Sequence, residues 1–216
     1  MTFTKENLRQ AVARAVLLAA ALFFAAYSIS SPAARADNQD AMAVVKDTVG
    51  TVLVILKNPE YKNATEARRQ KLRDAIEGHF DWREMSRSAL GYHWRSFSAA
   101  DRDRFSELFK RFLEASYIGK IESYSGQQIN FVREVPNGPG YSTVNTTIVQ
   151  TDGDAIKVNY ALVQENGAWK VTDVTIDAIS IIANYRNQFN RVINNQGVPA
   201  LLSDLKRKQA QIESGN

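Results

Sequence analysis

Cysteine is absent from the 216 residues, and histidine occurs only twice, as His79 and His93. The fold therefore has no disulfide bonds, and its stability has to come from a packed core, which a domain of roughly this size can bury. The chemistry available for a transition metal is also poor, because zinc sites are built mainly from cysteine and histidine. We therefore expect neither a metal nor a cofactor.

Long apolar runs are scarce as well, and the one clear run, Ala15 to Ile29, has 15 residues. A bilayer-spanning helix needs about 20. Lys5, Arg9 and Arg14 precede the run, and Ala34-Arg35-Ala36 follows it as a small-x-small cleavage site. This layout predicts a secretory signal peptide over residues 1–36 that is removed after Ala36. A retained membrane anchor is the alternative, whereas a lipoprotein anchor is excluded because no cysteine follows the run.

The predicted mature chain has almost equal numbers of basic and acidic residues. Residues 1–36 carry four bases and one acid, so 23 bases face 22 acids from Asp37 onward. The basic isoelectric point of the whole chain therefore arises largely from residues 1–36. Without an excess of positive charge in the mature chain, the main argument for a nucleic-acid partner is lost. The basic run Lys206-Arg207-Lys208 is short and is interpreted as the solvated end of a helix.

The mature chain divides by periodicity into a helical part and a sheet part. Apolar residues recur at three- and four-residue steps over residues 37–125, which predicts helices. Asp81 with Glu84, and Ser98 with Asp101, are capping pairs that begin the third and fourth of these helices. Residues 178–213 are predicted to form C-terminal helices, and residues 37–216 to fold as one domain.

Residues 126–177 alternate with a period of two, which predicts strands. Asp152-Gly153 and Asn166-Gly167 are tight hairpin signals, so four strands should form an antiparallel meander. The alternation slips by one residue at Thr172-Asp173. A β-bulge there would bend the strand and keep the apolar residues on both sides of it on one face.

Aromatic residues occupy five of the eight positions on the apolar stripe of the fourth helix. Such a stripe is ordinarily a core face, but large rigid rings also form the walls of cavities. Alternation and helical spacing predict an apolar lining shared by the sheet and the helices. Its predicted members are Met85, Phe105, Phe109, Phe112, Tyr117, Phe131, Val144, Ile148, Val158, Tyr160, Val171, Val174, Ile176, Ile179, Ile182, Tyr185 and Phe189.

Four short motifs follow one another with a familiar order and spacing. They are the LG-x-x-W of Leu90 to Trp94, the R-x-x-F of Arg102 to Phe105, the W-x-V-x-D-V of Trp169 to Val174 and the N-Y-R-x-Q-F of Asn184 to Phe189. Through these motifs, and over essentially the whole mature chain, the sequence resembles the MlaC family, also called toluene-tolerance Ttg2D. Members of this family are periplasmic phospholipid-binding proteins.

The resemblance implies an α+β fold in which a highly curved four-stranded antiparallel sheet is wrapped by helices. This NTF2-like, cone-shaped arrangement would enclose an apolar cavity. It also implies a phospholipid cargo, passed between an outer-membrane lipoprotein–porin complex and an inner-membrane ABC transporter to maintain outer-membrane lipid asymmetry. The family brings no catalytic residues, so we expect a periplasmic, monomeric carrier and no enzyme.

Two functions of other classes stay open. Conical sheets of this type also house isomerases and hydratases, and such a site could use Asp173, Asp177, Tyr160 and Tyr185. The second alternative, besides a lipid carrier and an enzyme, is a protein-interaction module whose apolar surface would bind a partner protein.

Four arginines are candidates to pair with a lipid phosphate at the mouth of the cavity: Arg83, Arg87, Arg95 and Arg133. Arg186 has a different prediction, because it stands inside the N-Y-R-x-Q-F motif. We expect it to be structural and to pair with Asp173 or Asp177.

Overall fold

The computed structural model describes residues 40–150 and 152–214, which lie within one compact unit, Asn38–Asn216. The predicted signal peptide falls outside the described residues and remains a prediction. The first half of the unit is helical. Its elements are α1 (Ala41–Lys57), a 3-10 turn (Pro59–Tyr61), α2 (Thr65–Glu77), α3 (Trp82–Leu90), a second 3-10 turn (Gly91–Ser96) and α4 (Ala99–Glu122).

Side-chain caps fix where these helices begin. The Asp81 carboxylate accepts a hydrogen bond from the Glu84 amide at 2.8 Å, and the Ser98 hydroxyl accepts one from the Asp101 amide at 3.1 Å. Both predicted N-caps are therefore confirmed. Asp40 caps α1 in the same way, with 2.6 Å between its Oδ1 and the Ala43 nitrogen.

The second half begins with an antiparallel meander whose strand order follows the chain. Its strands are β1 (Gln128–Pro136), β2 (Tyr141–Val149), β3 (Ala155–Glu165), β4 (Ala168–Ile176) and β5 (Ile179–Ser180). The predicted four strands are present, but the sheet has a fifth. Strand β5 has only two residues, too few to show alternation, and it pairs back onto β4 through a turn in which Asp177 and Ala178 have positive φ.

Two β-bulges bend the sheet. In β4 the pairing of Ala161 with Asp173 is followed by that of Leu162 with Val171, so Thr172 is the extra residue, as the alternation predicted. In β1 a second bulge, at Val132, was not predicted. It moves Val135 off the face that carries Phe131 and puts Glu134 there instead.

The chain ends in α5 (Ile181–Glu213), which is interrupted at Gly197, where φ is 84° and ψ is 174°. Only glycine adopts this conformation readily, so the residue divides the predicted C-terminal region into two helical segments. Among the described residues, no helix has the length and apolar character needed to cross a membrane.

Buried apolar residues form two clusters. One joins α3, α4 and α5, with Phe105, Phe109 and Phe189 at its centre. The other joins α1 to the sheet, with Val45 and Val144 among its members. The Phe80 side chain packs against both clusters, and its backbone bridges to Val171 at the free edge of β4. The interior therefore consists of a helical core and a helix–sheet core, which meet at Phe80.

Candidate functional site

One face of the sheet carries all the strand residues that alternation assigned to the lining. The register aligns Val144 with Tyr160 and Val174, and Val158 with Ile176. The full set on this inner face is Phe131, Val144, Ile148, Val158, Tyr160, Val171, Val174 and Ile176. Their common face is thus confirmed, while their contact with a ligand remains a prediction.

Burial changes along this inner face from one end to the other. At one end Ser142, Leu162 and Val171 are only 2–4% exposed. At the other end Ile129, Ile148 and Ile156 form a cross-strand row in which every side chain is only half-buried. We call this second end the open end. Ile129 and Ile156, on either side of Ile148, alternate in phase with the predicted residues, but the predicted lining did not include them.

Helix α1 crosses the inner face and runs toward the open end. Its second amide, that of Met42, donates to Glu134 Oε2 at 2.8 Å, and one turn later Lys46 lies over the Phe131 ring, 5.8 Å from its centroid. The last turns of α1 are apolar on all sides, and no residue from Val52 to Leu56 is buried; Val54 is 70% exposed. Apolar, accessible side chains therefore surround the open end from two elements.

The aromatic side chains of α4 divide into two groups. Phe105, Phe109 and Phe112 are buried and pack ring against ring with Phe189 and Tyr185. Their surroundings are those of a solid core, which also contains the predicted lining residues Met85 and Ile182.

Tyr117 and Tyr185 differ from these core residues, because both are only half-buried. The remaining predicted lining residue, Ile179, is 65% exposed on β5. The short turn after β4 pairs Ile179 with Ile176, so Ile179 shares the register of the inner face, but its side chain is open to solvent and not enclosed.

The tyrosines report a water-poor interior. Burial raises the pKa of Tyr160 to about 12 despite a hydrogen bond with Thr146 that lowers it, although part of the Tyr160 surface is still accessible. Burial also raises the pKa of Tyr185 to about 12 and raises the pKa of Tyr117. Burial therefore stabilises the protonated phenol of each of these three tyrosines.

The acidic residues of the enzyme alternative have structural hydrogen bonds. Asp173 accepts from the Ser180 hydroxyl at 2.5 Å and from the Ile182 amide at 3.1 Å, so it caps α5 directly from the bulge in β4. Asp177 accepts from the Lys157 amide at 2.9 Å. Both carboxylates therefore take part in the structure around the turn between β4 and α5.

Replacement of Asp173 with alanine should lower the free energy of unfolding by about 2 kcal/mol, since it removes a helix cap and a hydrogen bond to a charged group. Urea denaturation of the mature protein measures this. Asp74, which is exposed on α2, is the matched control and should change stability by less than about 0.5 kcal/mol when replaced with alanine. Equal effects of the two substitutions would contradict the structural role of Asp173.

The predicted phosphate-binding arginines are mostly engaged elsewhere. Arg83 pairs with Asp103 at 2.9 Å, and Arg87 pairs with Glu84 at 2.6 Å. Arg133 lies opposite Asn145, on the outer face of the sheet, and is bonded to its side chain. Arg95 is exposed on the second 3-10 turn. The ion pairs of Arg83 and Arg87 and the outer-face position of Arg133 do not favour these three residues as ligands for a molecule on the inner face, and the role of Arg95 remains a prediction.

Arg186 is structural, but the prediction of its partner was wrong. Its Nε donates to the Ser88 carbonyl at 2.6 Å, near the end of α3, and not to Asp173 or Asp177. The aliphatic part of the side chain lies against Gly91, where an added Cβ would be 3.5 Å from Arg186 Cδ. A second arginine acts similarly: Arg102 donates to the Trp94 carbonyl at 2.9 Å. Three of the four short motifs thus correspond to contacts among α3, the second 3-10 turn, α4 and α5.

No group of three or more histidine, cysteine or acidic side chains is placed to hold a metal ion within residues 40–150 and 152–214.

A bulged antiparallel sheet, packed against helices and apolar along an inner face that is half-exposed at one end, defines an α+β fold. The chain belongs to the MlaC family, because the family model described as MlaC protein matches residues 46–207.

Two curated relatives are similar to the chain. The intermembrane phospholipid transport system binding protein MlaC of Haemophilus influenzae is 25% identical over 126 residues, which is 56% of this chain and 59% of that protein. The chain thus spans less than two thirds of this relative. The toluene tolerance protein ttg2D of Pseudomonas putida is 26% identical over 157 residues, 71% of this chain and 73% of that protein.

A solved structure supports the fold. The phospholipid-binding protein from Ralstonia solanacearum, determined in complex with a phospholipid, superposes with a TM-score of 0.74. The superposition covers 81% of this chain and 99% of that one at 24% identity.

Proposed function

We propose that the protein is a periplasmic phospholipid carrier, exported by the signal peptide at residues 1–36. It would shuttle lipid as a monomer between an outer-membrane lipoprotein–porin complex and an inner-membrane ABC transporter, and so maintain the lipid asymmetry of the outer membrane. Family membership and the phospholipid bound by the Ralstonia relative support the cargo.

The observation that carries the proposal is the gradient of burial along the apolar inner face. A face that served only as core would be sealed at both ends. Here the row of Ile129, Ile148 and Ile156 stays half-buried at the open end, next to the accessible apolar turns of α1. Acyl chains could enter there and lie along the seam between the sheet and the helices, in contact with the half-buried Tyr160 and Val174.

The energetics of acyl chains explain why such a carrier needs protein partners. Each methylene that leaves water contributes roughly 0.8 kcal/mol, so two chains of about 15 methylenes gain roughly 24 kcal/mol. This exceeds the roughly 18–21 kcal/mol at which non-covalent affinities saturate. Release into water would be very slow, and the lipid should pass directly between apolar sites when the carrier docks with a donor or an acceptor. A passive carrier supplies no direction, which must come from those partners.

Native mass spectrometry of the mature protein, residues 37–216, after gentle lysis tests the proposal. We expect a co-purified diacyl phospholipid as a discrete mass increment that collisional activation removes. Protein that is recovered empty, and that cannot take phospholipid from loaded vesicles, would contradict the carrier function and favour a protein-interaction module.

We further propose that the protein is not an enzyme. All four residues that an isomerase-type site could use have hydrogen-bond partners. Asp173 caps α5, Asp177 binds the Lys157 amide, and Tyr160 is bonded to Thr146. The fourth, Tyr185, is bonded to Tyr117. These roles support a structural or binding function for each group.

A further inference from the structure

Glu134 is a charged residue on the inner face of the sheet, which is otherwise mainly apolar. The bulge at Val132 turns its side chain onto this face, where an unbroken alternation would have put Val135. Its Oε2 accepts a hydrogen bond from the Met42 amide at 2.8 Å, and its Oε1 accepts one from the Ser142 hydroxyl at 2.8 Å. The carboxylate therefore joins the first turn of α1 to two neighbouring strands.

The N-terminus of a helix is a favourable partner for this half-buried carboxylate. The first amides of α1 have no partner within the helix, and the helix dipole gives them a positive partial charge. Asp40 binds the Ala43 amide from the adjacent chain, whereas Glu134 binds the amide of a residue 92 positions away. Charge-assisted hydrogen bonds offset the loss of hydration of the carboxylate. Glu134 thus fixes the start of α1 relative to the sheet.

The turns of α1 that follow Glu134 close one end of the inner face. Two of their residues are buried together with three strand residues, and all five side chains are between 0 and 4% exposed. Side chains packed this closely leave no room for an acyl chain. We call this cluster the plug, and its members are Ala41, Val45, Val144, Leu162 and Val171.

An acyl chain that enters at the open end would run along the inner face as far as the plug. Ile148 at the open end and Val144 in the plug are four residues apart on β2, which corresponds to about 14 Å at the usual rise of a strand. Beside Val144, the side chains of Tyr160 and Val174 are still half-buried, whereas the next row of the sheet is sealed by the plug. The plug therefore determines how deep a chain can reach.

We propose that Glu134 is a positioning residue that holds the plug in place, and that the plug limits the length of the acyl chains that the carrier accepts. This inference rests on the proposed carrier function and adds a specificity determinant to it. A chain longer than the space would have to leave methylenes in water at the open end or push α1 away from the sheet. Both alternatives disfavour the longer of two phospholipids that have the same headgroup.

The test is a competition between two phospholipids that differ only in acyl-chain length. The mature protein is equilibrated with vesicles that contain both lipids in equal amounts and is then re-isolated, and its bound lipids are quantified by mass spectrometry. We expect Val45→Ala to raise the ratio of bound long-chain to short-chain lipid about fourfold, which is the preference that one further buried methylene gives. Val45→Ile enlarges the plug and should lower the ratio by a similar factor.

Variants of Glu134 test its positioning role. Glu134→Ala releases the start of α1 and should raise the ratio about fourfold, because the plug can then yield to a longer chain. Glu134→Gln should restore the wild-type ratio, since its amide oxygen can accept from the Met42 amide and its NH₂ group can donate to the Ser142 hydroxyl. Glu165→Ala, at an exposed glutamate that ends β3, is the matched control and should leave the ratio unchanged.

The outcomes separate the two proposals. Wild-type protein that binds neither lipid would contradict the carrier function itself. If wild-type protein binds lipid and the ratio for Glu134→Ala stays within twofold of wild type, Glu134 has no positioning role, even if total loading or stability falls. A shift of the ratio in the same direction by Val45→Ala and Val45→Ile would overturn the plug, because general loosening of the fold does not depend on the sign of the volume change. In both of these cases the carrier function would stand.

Discussion

Val158→Glu should empty the protein of phospholipid, with loading reduced at least tenfold. Val158 lies in the middle of the inner face, between Thr146 and Ile176 in adjacent strands, and is 7% exposed. A carboxylate at this position would contact acyl chains instead of water, and an unpaired ionised group in apolar surroundings costs several kcal/mol. Native mass spectrometry of protein exposed to phospholipid vesicles measures the bound fraction.

The chain offers a matched control in Ile179→Glu. Alternation predicted Ile179 to belong to the same lining, but its side chain is 65% exposed, so a carboxylate there stays hydrated and loading should equal that of wild type. Ile148→Glu covers the case in which the Val158 variant does not fold cooperatively, because Ile148 is half-buried at the open end. Normal loading of a folded Val158 or Ile148 variant would contradict the assignment of the inner face.

The sheet could be predicted well because its signals are local. The hairpin sequences Asp152-Gly153 and Asn166-Gly167 lie between strands that pair as expected. The alternation of apolar residues in β4 slips by one at Thr172, and this slip predicted the bulge. The apolar residues before and after the slip can share one face only if the strand contains an extra residue between them. In β1 the bulge falls at Val132, itself apolar, so the pattern showed no slip.

The partner of Arg186 could not be predicted, because every residue has a backbone carbonyl and no sequence pattern identifies the one that a distant side chain will bind. Every helix has carbonyls without intrahelical partners in its last turn, and the one that Arg186 binds, at Ser88, is 98 residues away along the chain. Charge matching favoured Asp173 and Asp177 instead. Asp173 is engaged by α5 because the bulge aims it at the helix N-terminus, a geometry that exists only after the strand has bent.

The lining of the site could be predicted on the sheet but not on the helices. In a strand, a period of two assigns each side chain to one of two faces. The register between strands then determines which side chains are neighbours on that face. A helical stripe as wide as that of α4 contains residues at several depths, and Phe109 and Tyr117 satisfy the same spacing although one is buried and the other half-buried. The difference between core and cavity wall depends on how far α5 covers α4, which no local pattern encodes.

Phe105→Ala should have the largest effect on stability, lowering the free energy of unfolding by about 3–5 kcal/mol. Phe105 is fully buried and contacts three other rings, those of Phe97, Phe109 and Phe189, at centroid distances of 6.0, 5.5 and 5.6 Å. Alanine would leave a cavity between α4 and α5 that the surrounding helices can only partly fill. Urea denaturation of lipid-free protein measures the loss.

Phe131→Ala distinguishes the core from the proposed lining. Phe131 is half-buried on the inner face of the sheet, so its truncation removes fewer protein contacts and should lower stability by about 1–2 kcal/mol. It should nevertheless weaken lipid loading more than Phe105→Ala does among molecules that remain folded, because its ring faces the seam. If the two substitutions had the same effect on stability and on loading, the separation of a solid aromatic core from an apolar face open to lipid would be wrong.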